Sequence, residues 1–313
     1  MTMTWRWAVL GALGLLLSAP AQAAECDRAC LYGYLDQYMA ALAAHDPAAL
    51  PLAEGVRFTE NNVEMALPDG AWTTVSKKGD YDLRFADVAE GQAGLYTVVY
   101  EHDNPAIMAL RLKVDGGQIT EIESLLGRFE EGRPFPSPFP LNLVEPEPIL
   151  EATLPRADRR PRAEMVRIAN GYFDTLQQND GTIHTQFDPE CDRVENGVET
   201  TNNKEKARES RFYGMGCEEQ FKLGLYRYDD RIRDRRYTLV DEERGLVWSS
   251  GFIDHSGELL SFPLTDGTTR TTHYKTPHSF YFMELFKIGK NGIRQVESLF
   301  ITVPYNMPSP WDE

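Results

Sequence analysis

Glu60-Asn61-Asn62-Val63-Glu64 returns later in the chain as Glu195-Asn196-Gly197-Val198-Glu199. Each copy follows a helical pattern at nearly the same distance and opens a region of strand-like alternation. Upstream of the first copy, Leu31, Tyr34, Leu35, Tyr38, Met39 and Leu42 fall at i, i+3, i+4, i+7, i+8 and i+11, one face of a 3.6-residue period. Upstream of the second, Met165, Ile168, Ala169, Tyr172, Phe173 and Leu176 occupy the same six positions. The offset is 134 residues at the helix (Leu31 to Met165) and 135 at the pentapeptide (Glu60 to Glu195). A third block closes each unit: Glu121-Ile122-Glu123-Ser124-Leu125 against Gln295-Val296-Glu297-Ser298-Leu299. Any one match is cheap, whereas three in one order predict a duplicated α+β domain.

The predicted units are residues 24–132 and 162–313, the second lengthened between Asn202 and Thr276 by a helix around Lys204–Phe212 and longer strands. In the first unit a helix over Asp27–His45 ends at Asp46-Pro47, and a short helical segment covers Pro47–Leu52. Strands are expected at Arg57–Glu64 and Trp72–Val75, on either side of a Pro68-Asp69-Gly70 turn. After a linking segment around Lys77–Phe85 come Gly94–His102, Ala106–Val114 and Gln118–Leu126, the last two joined by the turn Asp115-Gly116-Gly117. Residues 133–161 hold eight prolines, which lack the amide donor and fix φ, so an extended linker free of helix and central strand is expected. Phe135, Phe139 and Leu141 would pin it to a domain surface.

Residues 1–23 read as a secretory signal peptide: Arg6, the apolar run Ala8–Leu17 and the small-residue signal Ala21-Gln22-Ala23. The alternative is a retained anchor, although the run is short for a membrane span. Cys26 follows Ala24-Glu25 rather than a cleavage point, which favours a soluble periplasmic or secreted protein over a lipoprotein. Four cysteines in an exported chain point to two disulfides, with Cys26–Cys30 and Cys191–Cys217 preferred among three pairings. Zinc is the sharper alternative, but no His or Cys partners stand at close ligand spacing, so no metal is expected. The net charge of −16, from 32 Lys+Arg against 48 Asp+Glu, argues against nucleic acid, whose phosphates need concentrated basic residues.

A helix, a helical turn, a short hairpin and then long strands, given twice with the matched blocks above, resembles the nuclear transport factor 2-like fold. That family includes ketosteroid isomerase, scytalone dehydratase and the SnoaL-type polyketide cyclases. The resemblance covers nearly all of both units and rests on element order, not on a catalytic signature. It implies two tandem cone-shaped α+β barrels, each a curved antiparallel sheet wrapped around its long first helix with one open mouth. It further implies proton-transfer chemistry without metal or organic cofactor on a small apolar or aromatic compound: isomerisation, dehydration, cyclisation or elimination. The rival readings are a noncatalytic binding module and an intramolecular pseudo-dimer of structural role, with homo-oligomers open.

Such chemistry needs a base, a proton donor and exclusion of water. Tyr172 lies on the apolar stripe, so its ring is core or its hydroxyl turns into the pocket; the likeness to scytalone dehydratase, which uses a first-helix tyrosine, raises the second option. Asp192 and Glu195 stand near where ketosteroid isomerase carries its general base. The duplicated Glu60 and Glu195 can instead bond backbone amides in a turn. In His278-Ser279-Phe280-Tyr281-Phe282-Met283-Glu284, one strand parity turns His278, Phe280, Phe282 and Glu284 to the pocket, and the other turns Tyr281 and Met283 there. His273 is five residues from His278, so both line one pocket only if Thr276-Pro277 interrupts the strand. His255, in Asp254-His255-Ser256-Gly257, reads as a turn residue. Arg231, Arg233, Arg235 and Arg236, mixed with acidic residues, read as a salt-bridged exposed strand, or one of them, such as Arg233, turns inward to hold a substrate anion.

Overall fold

In the computed structural model, residues 26–129 and 145–311 are described. The expected leader and the pinning residues Phe135, Phe139 and Leu141 lie outside them. The first half holds α1 (Arg28–Ala44), β1 (Leu52–Glu60), β2 (Val63–Glu64), β3 (Val75–Asp87), β4 (Gln92–Glu101), β5 (Asn104–Asp115) and β6 (Gln118–Arg128). After α2 (Pro148–Glu151) come α3 (Arg162–Gln178), β7 (Phe187–Glu195), β8 (Val198–Glu199) and α4 (Cys217–Lys222). The chain then forms β9 (Arg231–Asp241), β10 (Leu246–His255), β11 (Ser261–Pro263), β12 (Thr269–Thr271), β13 (His278–Gly289) and β14 (Gly292–Val303).

The fold is α+β, with two six-stranded sheets of matching order, β2-β1-β6-β5-β4-β3 and β8-β7-β14-β13-β10-β9. The repeated pentapeptide is a two-residue hairpin in each. Asn61 and Asn62 have φ of 52° and 66°, and Asn196 and Gly197 have 49° and 75°, the left-handed pair that a tight hairpin turn requires. In both, the first asparagine also reaches the neighbouring strand of the third repeated block. Asn61 N–H donates to Ser124 O at 2.9 Å and its side-chain oxygen accepts from Leu126 N at 2.8 Å. Asn196 does the same with Ser298 O and Phe300 N, both at 2.8 Å. Two of the three matched blocks therefore hydrogen-bond to each other in both halves.

Several expectations are corrected. The sheets are mixed, because β1 runs parallel to β6 and β7 parallel to β14. Tight turns force β3 to β6 into an antiparallel meander, whereas β1 reaches β6 through no hairpin and is free of that constraint. Lys77–Phe85 is not a link but part of β3, since Tyr81, Leu83 and Phe85 alternate inward. Trp72 sits in a 3₁₀ turn, Gly70–Thr73, with its ring edge-on to Tyr38 at 5.1 Å between centroids. Lys204–Phe212 gives two 3₁₀ turns, Lys206–Arg208 and Arg211–Gly214, and the α-helix begins later at Cys217. In the proline-rich stretch Pro148 occupies the first turn of α2, where its missing N–H costs nothing, and Leu150 is fully buried.

Both predicted disulfides are formed, Cys26–Cys30 and Cys191–Cys217. No helix among the described residues is long and apolar enough to cross a membrane. The stripe of α1 (Leu31, Leu35, Tyr38, Leu42) shares one apolar cluster with Phe58, Leu95, Met108 and Ile122 of the first sheet. The stripe of α3 does so with Phe280, Phe282, Phe286 and Val296 of the second. The opposite faces of the two sheets meet in a third cluster, with Tyr81, Phe85 and Tyr96 against Trp248, Tyr281 and Met283. There Tyr81 donates to Glu297 at 2.6 Å, and Tyr281 to Glu123 at 2.7 Å. Burial pushes the Glu123 carboxyl up, but Arg111 and Arg236 outweigh it and hold it at about 2.

Candidate active site

Strand parity on β13 sends Phe280, Phe282 and Glu284 toward α3, and Tyr281 and Met283 toward the other half. On β7 the same alternation turns Arg193 and Glu195 inward and leaves Asp192 on the outer side. The disulfide Cys191–Cys217 fastens α4 beside β7 and brings Gln220 to Arg193. These elements enclose a cavity of about 80 Å³, lined among others by Tyr172, Arg193, Glu195, Tyr226 and Glu284 at one end, and by Tyr228, Asp229, His255 and Tyr274 at the other. Glu195, Tyr226, Tyr228 and Tyr274 also border an outer vestibule of about 250 Å³, to which Phe212, Tyr213, Arg270 and His273 contribute.

The inner end is a network of buried polar groups. Arg193, fully buried, pairs with Glu195 at 2.9 Å and bonds to Gln220 and Tyr226. Burial pushes the Tyr226 hydroxyl up to about 12, against the pull of Arg193. Tyr172 lines the same cavity beside Arg193 and Glu284 and acts on the charge of both. Burial, aided by the negative charge of Glu195, pushes the Glu284 carboxyl up to about 8, with Arg193 and Tyr172 opposing. At neutral pH Glu284 is thus a protonated acid facing an ion-paired carboxylate across one cavity.

The other end carries a histidine-carboxylate pair. His255 Nε2 lies 2.8 Å from Asp229 Oδ1, both are buried, and His255 Nδ1 has no hydrogen-bond partner. Burial raises Asp229, with His255 opposing.

Of the residues singled out from sequence, Glu195, Tyr172, Phe280 and Glu284 meet at the cavity. His273 stands at the vestibule, and burial together with Arg270 lowers its pKa. His278 instead stacks behind His255, with ring centroids 4.6 Å apart, and its Nδ1 is 2.8 Å from Thr276 O. Phe282 is fully buried and stacks on Phe173 in the core. Asp192 faces outward, accepting from Asn202 at 2.6 Å. Arg233 is on the far face, paired with Asp254 at 2.9 Å and lying over Phe252. Glu60 accepts from Ala71 N at 2.8 Å, so the duplicated glutamates have diverged: one fixes a turn, and the other lines a cavity. Gly70 is needed beside it, since a Cβ there would stand 2.5 Å from Glu60 Oε2 at a φ of 66°.

Sequence reasoning missed Arg193, Tyr226, Asp229 and the inward position of His255. Arg193 had a signal. Through the paired repeats it is the counterpart of Phe58, since Arg193 faces Val296 as Phe58 faces Ile122. Glu284 is likewise the counterpart of Leu110, since they face Ser298 and Ser124. Phe58 and Leu110 sit in the apolar core of the first half. Tyr226, Tyr228, Asp229, His255 and Tyr274 all come from the lengthened part of the second half.

A family model described as "Domain of unknown function (DUF8021)" matches residues 158–300, from ahead of α3 into β14. No curated protein matches the chain. Three solved structures are similar over part of it. One is a "de novo designed protein with curved beta-sheet", at 15% identity over 32% of this chain and 87% of that one, with a TM-score of 0.26. Another is a "putative ketosteroid isomerase from Kribbella flavida DSM 17836", at 18% identity over 36% and 93%, with a TM-score of 0.26. The third is a "putative hydroxylase from Streptomyces galilaeus", at 12% identity over 45% and 91%, with a TM-score of 0.28.

Proposed function

We propose that the second half is a proton-transfer enzyme, a lyase or isomerase acting on a small apolar or aromatic compound. One observation carries this: a carboxylate ion-paired to Arg193 and a carboxylic acid with its pKa raised to about 8 face the same cavity. Environments that separate two carboxyl groups in this way equip one to take a proton and the other to give one. Glu195 removes a proton from the carbon beside a substrate carbonyl. Glu284 and Tyr172 hydrogen-bond to the oxygen on which charge develops, and Glu284 supplies a proton to it. Delivery of the Glu195 proton to another carbon, as the enol proton goes back to Glu284, completes an isomerisation; in a dehydration the β-hydroxyl leaves as water with the Glu195 proton, and the enol proton again goes back to Glu284. Leu176, Phe280 and Phe300 give the cavity an apolar wall against which the substrate body packs.

The same reading takes the two sheets as tandem cone-like domains around α1 and α3, packed as an intramolecular pseudo-dimer. The first is a scaffold whose interior is apolar. The two disulfides support export to an oxidising compartment. The test is turnover of aromatic ketones and β-hydroxy ketones by the full chain, with Glu195→Gln and Glu284→Gln beside it. Loss of about 100-fold or more in kcat for Glu195→Gln is expected. Equal turnover by that variant would remove the assignment.

A further inference from the structure

The vestibule holds a cation that no carboxylate among the described residues meets in an ion pair. The Arg270 side chain, on β12, forms no salt bridge or hydrogen bond among the described residues, and its Nε is buried without a partner. Its guanidinium lies over the rings of Phe212 (4.9 Å) and Tyr228 (5.7 Å), which fix its plane. The neighbouring charges are already met: Glu195 by Arg193, Asp229 by His255, and Arg211 by Asp266. In a chain of net charge −16, a free guanidinium held between aromatic rings at the wall of a 250 Å³ space is a poor choice for stability alone.

We propose that the vestibule binds the carboxylate of an aryl carboxylic acid, with Arg270 as its counter-ion. The two Nη groups of a guanidinium present two parallel donors that match the two oxygens of a carboxylate. The rings of Phe212, Tyr213 and Tyr274 take the aromatic body, and the end remote from the carboxylate enters the inner cavity past Tyr226 and Tyr228. An inner cavity of about 80 Å³ admits only the reacting end of a substrate, so the rest must lie in the vestibule. The inference names a substrate class for the proposed enzyme, and it can fail or stand separately because binding is read without turnover.

The probes are trans-cinnamate and cinnamamide, equal in shape and different in charge, titrated calorimetrically into the full chain. Cinnamate is expected to bind about tenfold or more tightly than the amide, because a charge-assisted pair is lost in the latter. Arg270→Gln should abolish that preference, and Arg270→Lys, which keeps the charge without the fork, should retain part of it. If Arg270→Gln does not fold, as judged by its melting profile, the wild-type acid-to-amide ratio and the Arg270→Lys ratio decide the matter. Equal affinity of the two probes for the wild type, absence of binding by both, or an unchanged ratio in Arg270→Gln would each overturn the proposal. Arg270-dependent cinnamate binding in a protein that turns over no ketone would sink the enzyme reading and leave this one.

Discussion

Glu284 lies in the interior of the second sheet with its carboxyl pushed from an ordinary 4.5 to about 8, burial being the main cause. The folded state therefore holds the proton more tightly than the unfolded chain does. Stability from that proton is fully present below about pH 4.5 and is lost as pH rises to about 8, at about 1.4 kcal/mol for each pH unit. The whole window corresponds to about 5 kcal/mol, an upper figure because water entry would relieve part of the cost. Glu284→Gln is neutral at every pH and nearly isosteric. Its stability relative to wild type should rise from about pH 5 to about pH 8 and level off beyond. Urea unfolding of both proteins across that range at fixed ionic strength gives the difference directly, and contributions from Glu297 and Lys287 cancel in it. Glu195 adds to the upward push, so Glu195→Gln should move the gradient to lower pH. A difference that stays flat with pH would mean that Glu284 is ionised in the folded protein, and the acid role would go with it. Activity should share the sign: turnover that needs the protonated acid declines as pH climbs through about 8.

Three further substitutions probe the frame that holds the site. Asn61→Ala and Asn196→Ala each remove a side-chain acceptor from a strand amide and force alanine to a φ near 50°, so each should cost about 1–3 kcal/mol in thermal or denaturant unfolding. Arg236→Met leaves Glu123 buried between the sheets with Arg111 and Tyr281 alone, and should cost about 3 kcal/mol. That carboxyl sits at about 2 in the folded state, so its contribution is present above about pH 4.5 and disappears toward pH 2. The Arg236→Met penalty should shrink in acid, and a penalty independent of pH would count against the ion pair as its source.

The frame was legible because its determinants are local. Six stripe positions per helix follow from a 3.6-residue period, and Asn61-Asn62 and Asn196-Gly197 can take the positive φ values that a two-residue hairpin needs. Residue types alone could not give the parallel pairing of β1 with β6, because nothing in a strand's own sequence states the direction of its neighbour. Tyr81, Leu83 and Phe85 alternate as a strand should, but the charged run before them (Lys77, Lys78, Asp80) disguised β3 as a link. The site was half legible. Parity on β13 offered Glu284, and the repeat offered Glu195, yet a histidine that reads as a loop residue became the cavity's imidazole. His255 lies at the last position of β10, and its partner Asp229 comes from the turn before β9, a contact set by a register that contains two irregularities.

Comparison of the two copies supplies what a single copy hides. Where the first half keeps Tyr38, Phe58 and Leu110 in an apolar core, the second has Tyr172, Arg193 and Glu284. The tyrosine is common to both; the arginine and the acid are not. Replacing a buried phenylalanine and a buried leucine by ionisable groups costs stability unless the groups satisfy one another. Arg193 achieves this with Glu195, Gln220 and Tyr226, whereas Glu284 does so only by keeping its proton. On the proposed division the apolar first interior is the scaffold, and the second holds the buried acid beside its own core. If that division is correct, Glu284→Leu, which restores the residue of the first copy, should stabilise the protein at alkaline pH while abolishing turnover.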